Sequence, residues 1–391
     1  MAEQVIEGSE KFLKKRIKNK MENLKNKKLA LFFTKGISLE VWEKVGNLDR
    51  EIKLYQKLAS YFNEIYFFTY GDKEESKYQK LFPENIKIFS KKWNLSSSFY
   101  SLLLPLFYKE KIKEVDILKT NQMPGSWSAV IAKWLYKKKL VVRCGYEWLS
   151  FLEKQRKSWW KRIAAKFIEK IAYKNADKII LTSEKDKKFV IEKFKIAPEK
   201  IEVIPNYIDT DLFKPLNFPK EKNRVISVGR LEEQKNLFNL IEAAGTLSVK
   251  LVIIGTGSLK EKLKNFAKER NAKVEFKENI PNEKLPEELN RSEIFILPSW
   301  YEGCPKALLE AMACGLPCIG TNVEGIRDII KHRENGYLCK PDAESIKKAI
   351  LEVLNDKNLQ QKISHNARKT ILEKFSLEKI LEKEIKIYQS L

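Results

Sequence analysis

The stretch EIFILPSWYEGCPKALLEAMACGLPCIGT (293–321) contains the pattern from which the fold follows. EIFILPS (293–299) is a short apolar run typical of a buried strand, and PCIGT (317–321) is a second such run. Between them, the apolar spacing predicts a helix from about residue 306 to residue 313. A strand, a helix and a further strand in this order predict a parallel β-α-β unit.

The same alternation continues from this unit in both directions. In the first half of the chain the strand-like runs are 28–34, 64–70, 84–90, 114–120, 138–147, 177–183 and 201–206. In the second half they are 224–229, 250–257, 272–278, 293–299, 317–321 and 336–340, followed by helical segments at roughly 343–374 and 376–391. This alternation of strands and helices predicts an α/β protein with two Rossmann-like, doubly wound parallel-sheet domains and C-terminal helices. We place the domains at 1–215, of which 1–27 form a charged leader helix, and at 216–391.

The composition fits a globular protein and excludes several other classes. Of 391 residues, 43% are hydrophobic, and no run approaches the ~18 consecutive apolar residues that a membrane span needs. The first twenty residues contain no apolar segment of the kind that directs secretion. The five cysteines form no CxxC pair and the only histidines are His332 and His365, so a disulfide framework and a zinc site are both disfavoured. We expect a cytoplasmic protein that uses no metal and no other cofactor.

The positive charge is concentrated in the first half of the chain. The formal net charge is +23, of which residues 1–215 carry +18 and residues 216–391 carry +5. Such a field attracts phosphate in nucleic acid, in anionic lipid headgroups or in a sugar nucleotide. A lysine-rich surface that only maintains solubility is the alternative explanation.

The segment after strand 293–299 combines features of a phosphate site. Glu302 follows a strand where a parallel sheet presents its ligand-binding loops, and Gly303 allows close backbone approach. Pro305 suits the first turn of the next helix, whose N-terminal N–H groups can bind phosphate. Glu310, inside that helix, could accept hydrogen bonds from two ribose hydroxyls.

A second segment, VGRLEEQKN (228–236), supplies the cations for such a site. Gly229 ends a strand, Arg230 offers a planar fork of donors, and Lys235 offers a point charge. A diphosphate requires both neutralisation and geometry, so the pair of cations agrees with a diphosphate ligand. The turn IGTG (254–257) is a further glycine-rich strand-to-helix connection.

Four motifs together resemble one enzyme family. PNYIDTDLFKP (205–215), VGRLEEQKN (228–236), EGCPKALLEAMACGLP (302–317) and NGYLCKP (335–341) resemble, in order and spacing, the retaining glycosyltransferases of family four. The Glu-x7-Glu pattern formed by Glu302 and Glu310 is similar to that family's signature.

The resemblance implies the GT-B architecture, in which two Rossmann-like domains face each other across a cleft. It implies transfer of a hexosyl unit, with retained configuration, from a UDP- or GDP-linked sugar to a sugar, polysaccharide or lipid-linked acceptor. The resemblance assigns catalytic roles to Glu302, Arg230 and Lys235. Donor contacts are implied for Gly36, Gly229, Ile280, Gly303, Cys304, Pro305, Lys306 and Glu310. The resemblance also implies that the acceptor binds to the N-terminal domain.

The chain departs from the family on the acceptor side. Cys144 stands where many relatives have a histidine. We therefore expect Arg143, Tyr146 or Glu147 to line the acceptor site. The early glycine loop contains only Gly36 where relatives have two glycines.

Two further segments have competing interpretations. In 157–175, Trp159, Trp160, Ile163 and Phe167 share one helical face with other apolar residues, and lysines occupy much of the remainder. An ordinary amphipathic helix packed against the sheet is the favoured interpretation, and an interfacial helix on an anionic membrane is the alternative. The DxD-like segment 209–211 is interpreted as a turn rather than a Mg²⁺ site.

Two other functions compete with sugar transfer. A sugar-nucleotide epimerase shares the two-domain architecture but commonly needs a histidine near the sugar. A basic nucleic-acid-binding protein would use the positive first half, yet it leaves the ordered motifs of the second half without a role. We therefore expect a nucleotide sugar and a glycan or lipid-linked acceptor as partners, and no nucleic acid.

Overall fold

The computed structural model describes residues 24–145, 148–154 and 158–391. They form two compact units. Of the described residues, the first unit comprises those up to Lys44, Glu51–Ile204 and Leu381–Leu391, and the second comprises Val45–Arg50 and Pro205–Ile380. The predicted leader, 1–27, falls almost entirely outside the described residues. Within the described ranges, no helix is both long and apolar enough to cross a bilayer.

The first unit is built on a seven-stranded parallel sheet. Its strands are β1 Lys28–Phe32, β2 Glu64–Phe68, β3 Ile86–Phe89, β4 Ile117–Thr120, β5 Lys139–Cys144, β6 Lys178–Leu181 and β7 Ile201–Val203. The strand order is β3-β2-β1-β4-β5-β6-β7, so the order reverses between β1 and β4. The helices, numbered over the described residues, are α1 Leu39–Lys44, α2 Leu48–Leu58, α3 Ser97–Phe107, α4 Lys109–Glu114, α5 Ser126–Tyr136, α6 Trp148–Lys154, α7 Trp159–Asn175 and α8 Glu184–Phe194. Short 3₁₀ segments cover Ala59–Tyr61, Lys73–Leu81 and Pro198–Lys200.

The second unit repeats this plan with six parallel strands. They are β8 Arg224–Val228, β9 Lys250–Ile254, β10 Val274–Lys277, β11 Ile294–Leu297, β12 Cys318–Thr321 and β13 Tyr337–Cys339. Their order is β10-β9-β8-β11-β12-β13, with the reversal between β8 and β11. The helices are α9 Leu237–Gly245, α10 Lys260–Glu269, α11 Leu285–Asn290, α12 Lys306–Ala313, α13 Ala343–Asn355, α14 Lys357–Lys374 and α15 Leu377–Gln389, and a 3₁₀ turn covers Glu233–Lys235.

Both faces of the second sheet are buried, as a doubly wound sheet requires. Alternate strand residues face opposite sides. Ile226, Val252 and Phe295 belong to one core cluster, and Val225, Leu251 and Ile294 belong to the other. The predicted fold class of two Rossmann-like parallel-sheet domains is therefore confirmed, and every predicted strand is present, most of them shortened by one to three residues at an end.

The division between the units falls at residues 204/205, eleven residues before the boundary placed from the sequence. Ile208 and Phe213 explain the difference, because both side chains are buried in a core cluster of the second unit. The chain also returns to the first unit at its end, since Leu381–Leu391 pack there. The ring of Tyr388, for example, contacts that of Phe62 edge-on, with the ring centroids 5.4 Å apart.

The first predicted closing segment, 343–374, is helical with one interruption. It is two helices, α13 and α14, that meet at Asp356. The Asp356 side chain accepts a hydrogen bond of 2.9 Å from the Leu359 N–H, so it caps the second helix and marks a new start. An aspartate followed by an apolar run was the available signal.

Helix α7 packs on the first unit, as predicted, but it leaves several of its large apolar side chains exposed, which was not predicted. The residues it buries are Ala165, Glu169, Ala172 and Tyr173. Trp159 and Phe167 are 67% and 63% exposed, and Trp160 and Ile163 are also exposed. The small alanines allow the helix to pack closely on their own side, which leaves the large apolar side chains toward solvent.

Burial of Glu169, on the packed side of α7, gives the first unit a pH-dependent stability. Loss of solvation raises the pKa of Glu169 to about 7, although the Leu149 N–H donates to its carboxylate at 3.1 Å. A carboxyl group whose pKa is raised on folding stabilises the fold at low pH and loses that contribution as pH rises through the folded value. The wild-type protein should therefore lose stability between about pH 4.5 and pH 7 through this group.

Replacing Glu169 with glutamine should remove this loss, because the amide keeps the hydrogen bond and carries no charge. We expect Glu169→Gln to be more stable than wild type at pH 8 by up to about 3 kcal/mol, with little difference at pH 4.5. Thermal melts across this pH range measure the effect. The exposed Glu192→Gln change is the control, and equal pH profiles for Glu169→Gln and wild type would refute the assignment.

Candidate functional site

The predicted site residues of the second unit gather where its sheet order reverses. β8 and β11 are neighbours at this switch point, and their carboxyl ends open into the loops that begin at Gly229 and Pro298. The chain leaves these two strands toward opposite sides of the sheet, which creates a crevice at the strand ends. The two motifs at 228–236 and 302–317, far apart in sequence, are thereby brought together.

An ion pair between Lys235 and Glu302 lies at this crevice. The ammonium Nζ of Lys235 is 2.5 Å from Glu302 Oε1, and the Ser299 hydroxyl donates to the same oxygen at 2.6 Å. The two side chains are 14% and 8% exposed, so the pair is largely shielded from water and interacts strongly. Ser299 had not been predicted, since a serine after a strand carries no distinctive signal.

Hydrogen bonds hold the turn that presents Lys235 against the loop that presents Glu302. The Gln234 amide donates to the Tyr301 carbonyl at 2.9 Å, and the Trp300 N–H donates to the Gln234 carbonyl at 2.9 Å. The Asn236 amide donates to the Pro298 carbonyl at 2.9 Å. The cation and the carboxylate therefore keep a fixed separation, as a preorganised site requires.

Helix α12 begins beside this pair with its first N–H groups uncapped by a side chain. Pro305 occupies the N-cap position rather than the first helical turn. The preceding loop is fixed by the Asn206 amide, which donates to the Cys304 carbonyl at 2.9 Å. Gly325 packs so tightly that a Cβ there would lie 2.2 Å from the Gly303 carbonyl oxygen, and its φ of +78° also favours glycine. A helix N-terminus held in this way can bind phosphate.

Glu310 lies inside α12 and is 2% exposed. Its Oε1 pairs with Arg50 Nη1 at 3.2 Å. The Arg50 guanidinium donates a hydrogen bond to the side-chain oxygen of Asn47. The Tyr207 hydroxyl donates a hydrogen bond to the main-chain carbonyl of Arg50. Arg50 is not predictable from a local sequence pattern, because it lies 260 positions from its partner.

The remaining predicted donor residues lie around this centre. Arg230 is exposed just after β8, with Gly229 before it. Ile280 and Cys304 are partly buried and pack against a core cluster of the second unit. Lys306 is the first residue of α12. The structure thus gathers the predicted residues of the second unit in one region.

The residues predicted from the first half of the chain lie in the first unit. Gly36 follows β1 with a φ of +77°, in the loop at that sheet's own switch point. Arg143 is 8% exposed on β5, where its charge acts on a buried pair formed by Lys119 and Glu384. Tyr146 and Glu147 lie outside the described residues.

The other residues that the sequence suggested as candidate sites have structural roles. Asp209 accepts hydrogen bonds from the N–H groups of Asp211 and Leu212 at 3.1 and 3.2 Å, which confirms the predicted turn. Cys314 and Cys318 are buried free thiols, and burial raises the pKa of Cys314 to about 12. In the part of the chain that the structure covers, no group of three or more His, Cys, Asp or Glu side chains could hold a metal ion.

Family models match two adjoining parts of the chain. Residues 209–370 match the model described as Glycosyl transferases group 1, and residues 53–212 match that of Glycosyltransferase Family 4. The two matches meet close to the division between the structural units.

Individual relatives agree with these matches. The chain is 32% identical to the Escherichia coli UDP-Gal:alpha-D-GlcNAc-diphosphoundecaprenol alpha-1,3-galactosyltransferase, over 72% of this chain and 77% of that protein. It is 29% identical to the Bacillus anthracis N-acetyl-alpha-D-glucosaminyl L-malate synthase, over 49% of this chain and 55% of that protein. The crystal structure of Anabaena HepE in complex with UDP has a TM-score of 0.76 at 16% identity, covering 93% of this chain and 100% of that one, so that likeness concerns the fold.

Proposed function

The chain belongs to glycosyltransferase family four, and from this premise we propose that it moves a hexosyl unit from a UDP-sugar to a lipid-linked glycan with retained anomeric configuration. The observation that supports the donor site best is the shielded Lys235–Glu302 pair beside the open N-terminus of α12. The UDP donor and the lipid-linked acceptor are suggested by the name of the E. coli relative. A GDP-linked donor is the second possibility.

In this proposal the second unit stabilises the charge of the leaving diphosphate. The bond between the sugar C1 and the diphosphate oxygen breaks, and the acceptor hydroxyl oxygen forms the new bond to C1. The acceptor proton passes to the leaving phosphate oxygen. The negative charge on the leaving diphosphate would be stabilised, without a divalent ion, by Lys235, Arg230 and the N–H groups of α12.

Glu302 would change partners when the donor binds. In the structure it neutralises Lys235 at 2.5 Å. A diphosphate near Lys235 would take over that cation and leave the Glu302 carboxylate free to orient the sugar. As positive charge develops on the ring, a carboxylate in a shielded site stabilises it.

Glu310 would accept hydrogen bonds from two hydroxyls of the donor ribose, and Arg50 would hold its carboxylate in position. The epimerase alternative finds no support, because the His332 Nδ1 accepts from the Leu338 N–H and its ring packs on Tyr337, and His365 lies on α14.

UDP alone should stabilise the protein if the donor site is assigned correctly. At one hundred times its Kd, a ligand that binds only the folded state adds about 2.7 kcal/mol, which raises the melting temperature by several degrees. We expect Glu310→Ala to weaken UDP binding by roughly 10- to 100-fold, since hydrogen bonds to a charged group are lost. Calorimetric titration measures this loss.

The exposed Glu344→Ala change on α13 is the matched control for this test. It should leave the UDP affinity unchanged. Stabilisation by NAD or by an oligonucleotide, with none by UDP, would exclude the proposed donor site.

We further propose that the protein works at the cytoplasmic membrane surface and that α7 makes the contact. Its only carboxylate, Glu169, is buried, so its exposed charges are all cationic: Lys161, Arg162, Lys166, Lys170 and Lys174. Trp159 and Trp160 lie exposed at its start. Exposed tryptophan beside clustered cations suits an anionic interface.

Flotation with vesicles tests this contact. The protein should float with phosphatidylglycerol vesicles at low salt and much less with phosphatidylcholine vesicles. The double change Trp159→Ala and Trp160→Ala should reduce the bound fraction severalfold. Trp300→Ala, which removes an exposed tryptophan of the second unit, is the control, and absence of flotation with anionic vesicles would end the proposal.

A further inference from the structure

An apolar cavity of about 340 Å³ lies in the first unit between α3, α5 and α7. Its volume falls within the range of small-molecule sites, ≈ 300–1,000 Å³. The larger side chains that line it are Leu102, Trp127, Val130, Phe167, Ile168 and Ile171. The hydroxyl of Ser126, which also lines it, is directed to the Met123 sulfur at 3.4 Å. A space lined in this way suits hydrocarbon and disfavours water.

The outer side of the cavity opens on exposed apolar surface. Phe167 and Leu102, on two of the surrounding helices, are 63% and 50% exposed. A hydrocarbon chain can therefore enter the cavity and continue along the surface of α7.

A cation lies beside one aromatic wall of the cavity. Trp127 lines the cavity, and the ammonium of Lys35 lies 5.7 Å from the centroid of its ring. The indole N–H donates to the Ser101 hydroxyl at 2.9 Å, which fixes this aromatic wall. The Lys35 N–H donates to the Pro124 carbonyl at 2.9 Å, which joins the loops after β1 and β4. Lys35 therefore sits at the carboxyl edge of the sheet, where an open α/β sheet binds ligands.

We propose that the cavity binds the first isoprenoid units of a prenyl diphosphate-linked acceptor, with its diphosphate at Lys35. This assignment deepens the proposed function by naming the acceptor class, and it rests on that proposal. An apolar space with a cation beside its aromatic wall matches a ligand with an anion at the start of its hydrocarbon chain. Among the described residues, no carboxylate forms an ion pair with Lys35, so its charge is available to a phosphate.

An acyl chain from the bilayer fits this arrangement less well. It would enter from the exposed side with its methyl end first and would leave its phosphate outside. Lys35 would then gain no anionic partner. The charge of Lys35 beside Trp127 thus favours the prenyl diphosphate.

Binding of farnesyl diphosphate, below its micelle concentration, tests the site. The titration is made at saturating UDP, so that the proposed donor diphosphate site is filled. Farnesyl diphosphate should bind at least tenfold more tightly than inorganic diphosphate and than farnesol. Lys35→Met should weaken farnesyl diphosphate binding at least tenfold and leave farnesol binding unchanged.

Two variants that fill the cavity test whether farnesyl diphosphate binds in the cavity or on the surface of α7. Ile168→Trp fills it from α7 and Leu102→Trp fills it from α3; because Leu102 is half exposed, the second change is readily accommodated. Each should weaken farnesyl diphosphate binding at least tenfold. Ile163→Trp makes the same kind of change on α7 outside the cavity and should alter binding less than twofold.

The outcomes distinguish the possible occupants. Normal farnesyl diphosphate binding in both cavity-filling variants would overturn the proposal. Displacement by submicellar dihexanoyl phosphatidylglycerol with equal affinity would identify a bilayer-chain site instead and would also overturn it. UDP binding is measured separately, so a failed donor site and a failed cavity assignment give different results.

Discussion

Replacing Lys235 with alanine is expected to lower kcat by about 10²–10³-fold, the loss seen when one preorganised donor to a developing negative charge is removed. Lys235 is fixed by its turn and by Glu302, 2.5 Å away, so in the proposed reaction its charge would be in place before the diphosphate departs. The surrounding site is shielded, which makes the interaction stronger than it would be in water. Turnover of the UDP-sugar is measured by release of UDP.

Two comparisons make this test specific. Lys264→Ala removes a lysine that pairs on the surface of α10 with Glu261, and it should keep full activity. Because Lys235→Ala leaves Glu302 shielded and without its cation, thermal melts must show that the variant is folded. Full turnover in a folded Lys235→Ala variant would remove this residue from the mechanism.

Replacing Lys119 with methionine is expected to destabilise the first unit by roughly 3–5 kcal/mol, the usual cost of leaving a buried charge without its partner. Lys119 Nζ lies 2.6 Å from Glu384 Oε2, and both side chains are fully buried. Burial lowers the pKa of Lys119, and Glu384 opposes that effect. Burial would raise the pKa of Glu384, but the charges of Lys119 and Arg143 keep it below its usual range.

The pair also ties the end of the chain to the central sheet. The Tyr388 hydroxyl donates to Glu384 Oε2 at 2.7 Å, and Lys119 lies 5.0 Å from the ring centroid of Tyr55. Loss of the ammonium should therefore loosen 381–391 together with its contacts.

Urea unfolding followed by tryptophan fluorescence measures this loss. Seven of the eight tryptophans lie in the first unit, so the signal reports mainly on it. The exposed Lys383→Met change should stay within about 0.5 kcal/mol of wild type. The double change Lys119→Met and Glu384→Leu should recover most of the stability, because neither member of the pair is left as a charge without the other. A Lys119→Met variant as stable as wild type would show that the Lys119–Glu384 ion pair does not contribute to the free energy of unfolding.

The sequence predicted well the two sheets and the proximity of the segments 228–236 and 302–317, because their signals are local. Apolar runs separated by helical spacing identify parallel strands, and the switch point follows from the strand order. Glu302 and Glu310 lie on one loop and one helix, so their proximity depends on few residues.

The parts that the sequence did not predict depend on contacts between distant residues. Arg50 reaches Glu310 across 260 positions, and Lys119 reaches Glu384 across 265. The outward face of α7 was also missed, because amphipathic spacing defines an apolar face but does not say whether that face is covered. Its close-packing side is formed instead by Ala165, Glu169, Ala172 and Tyr173.

The central claim is that the second unit binds the donor diphosphate at Lys235 and the start of α12 without a divalent ion. Calorimetric titration of UDP into chelator-treated protein tests it most directly. We predict one UDP per chain, the same affinity with EDTA as with added Mg²⁺, and at least tenfold weaker binding in Lys235→Ala. Binding that requires a divalent ion, or that is unchanged in Lys235→Ala, would contradict the claim.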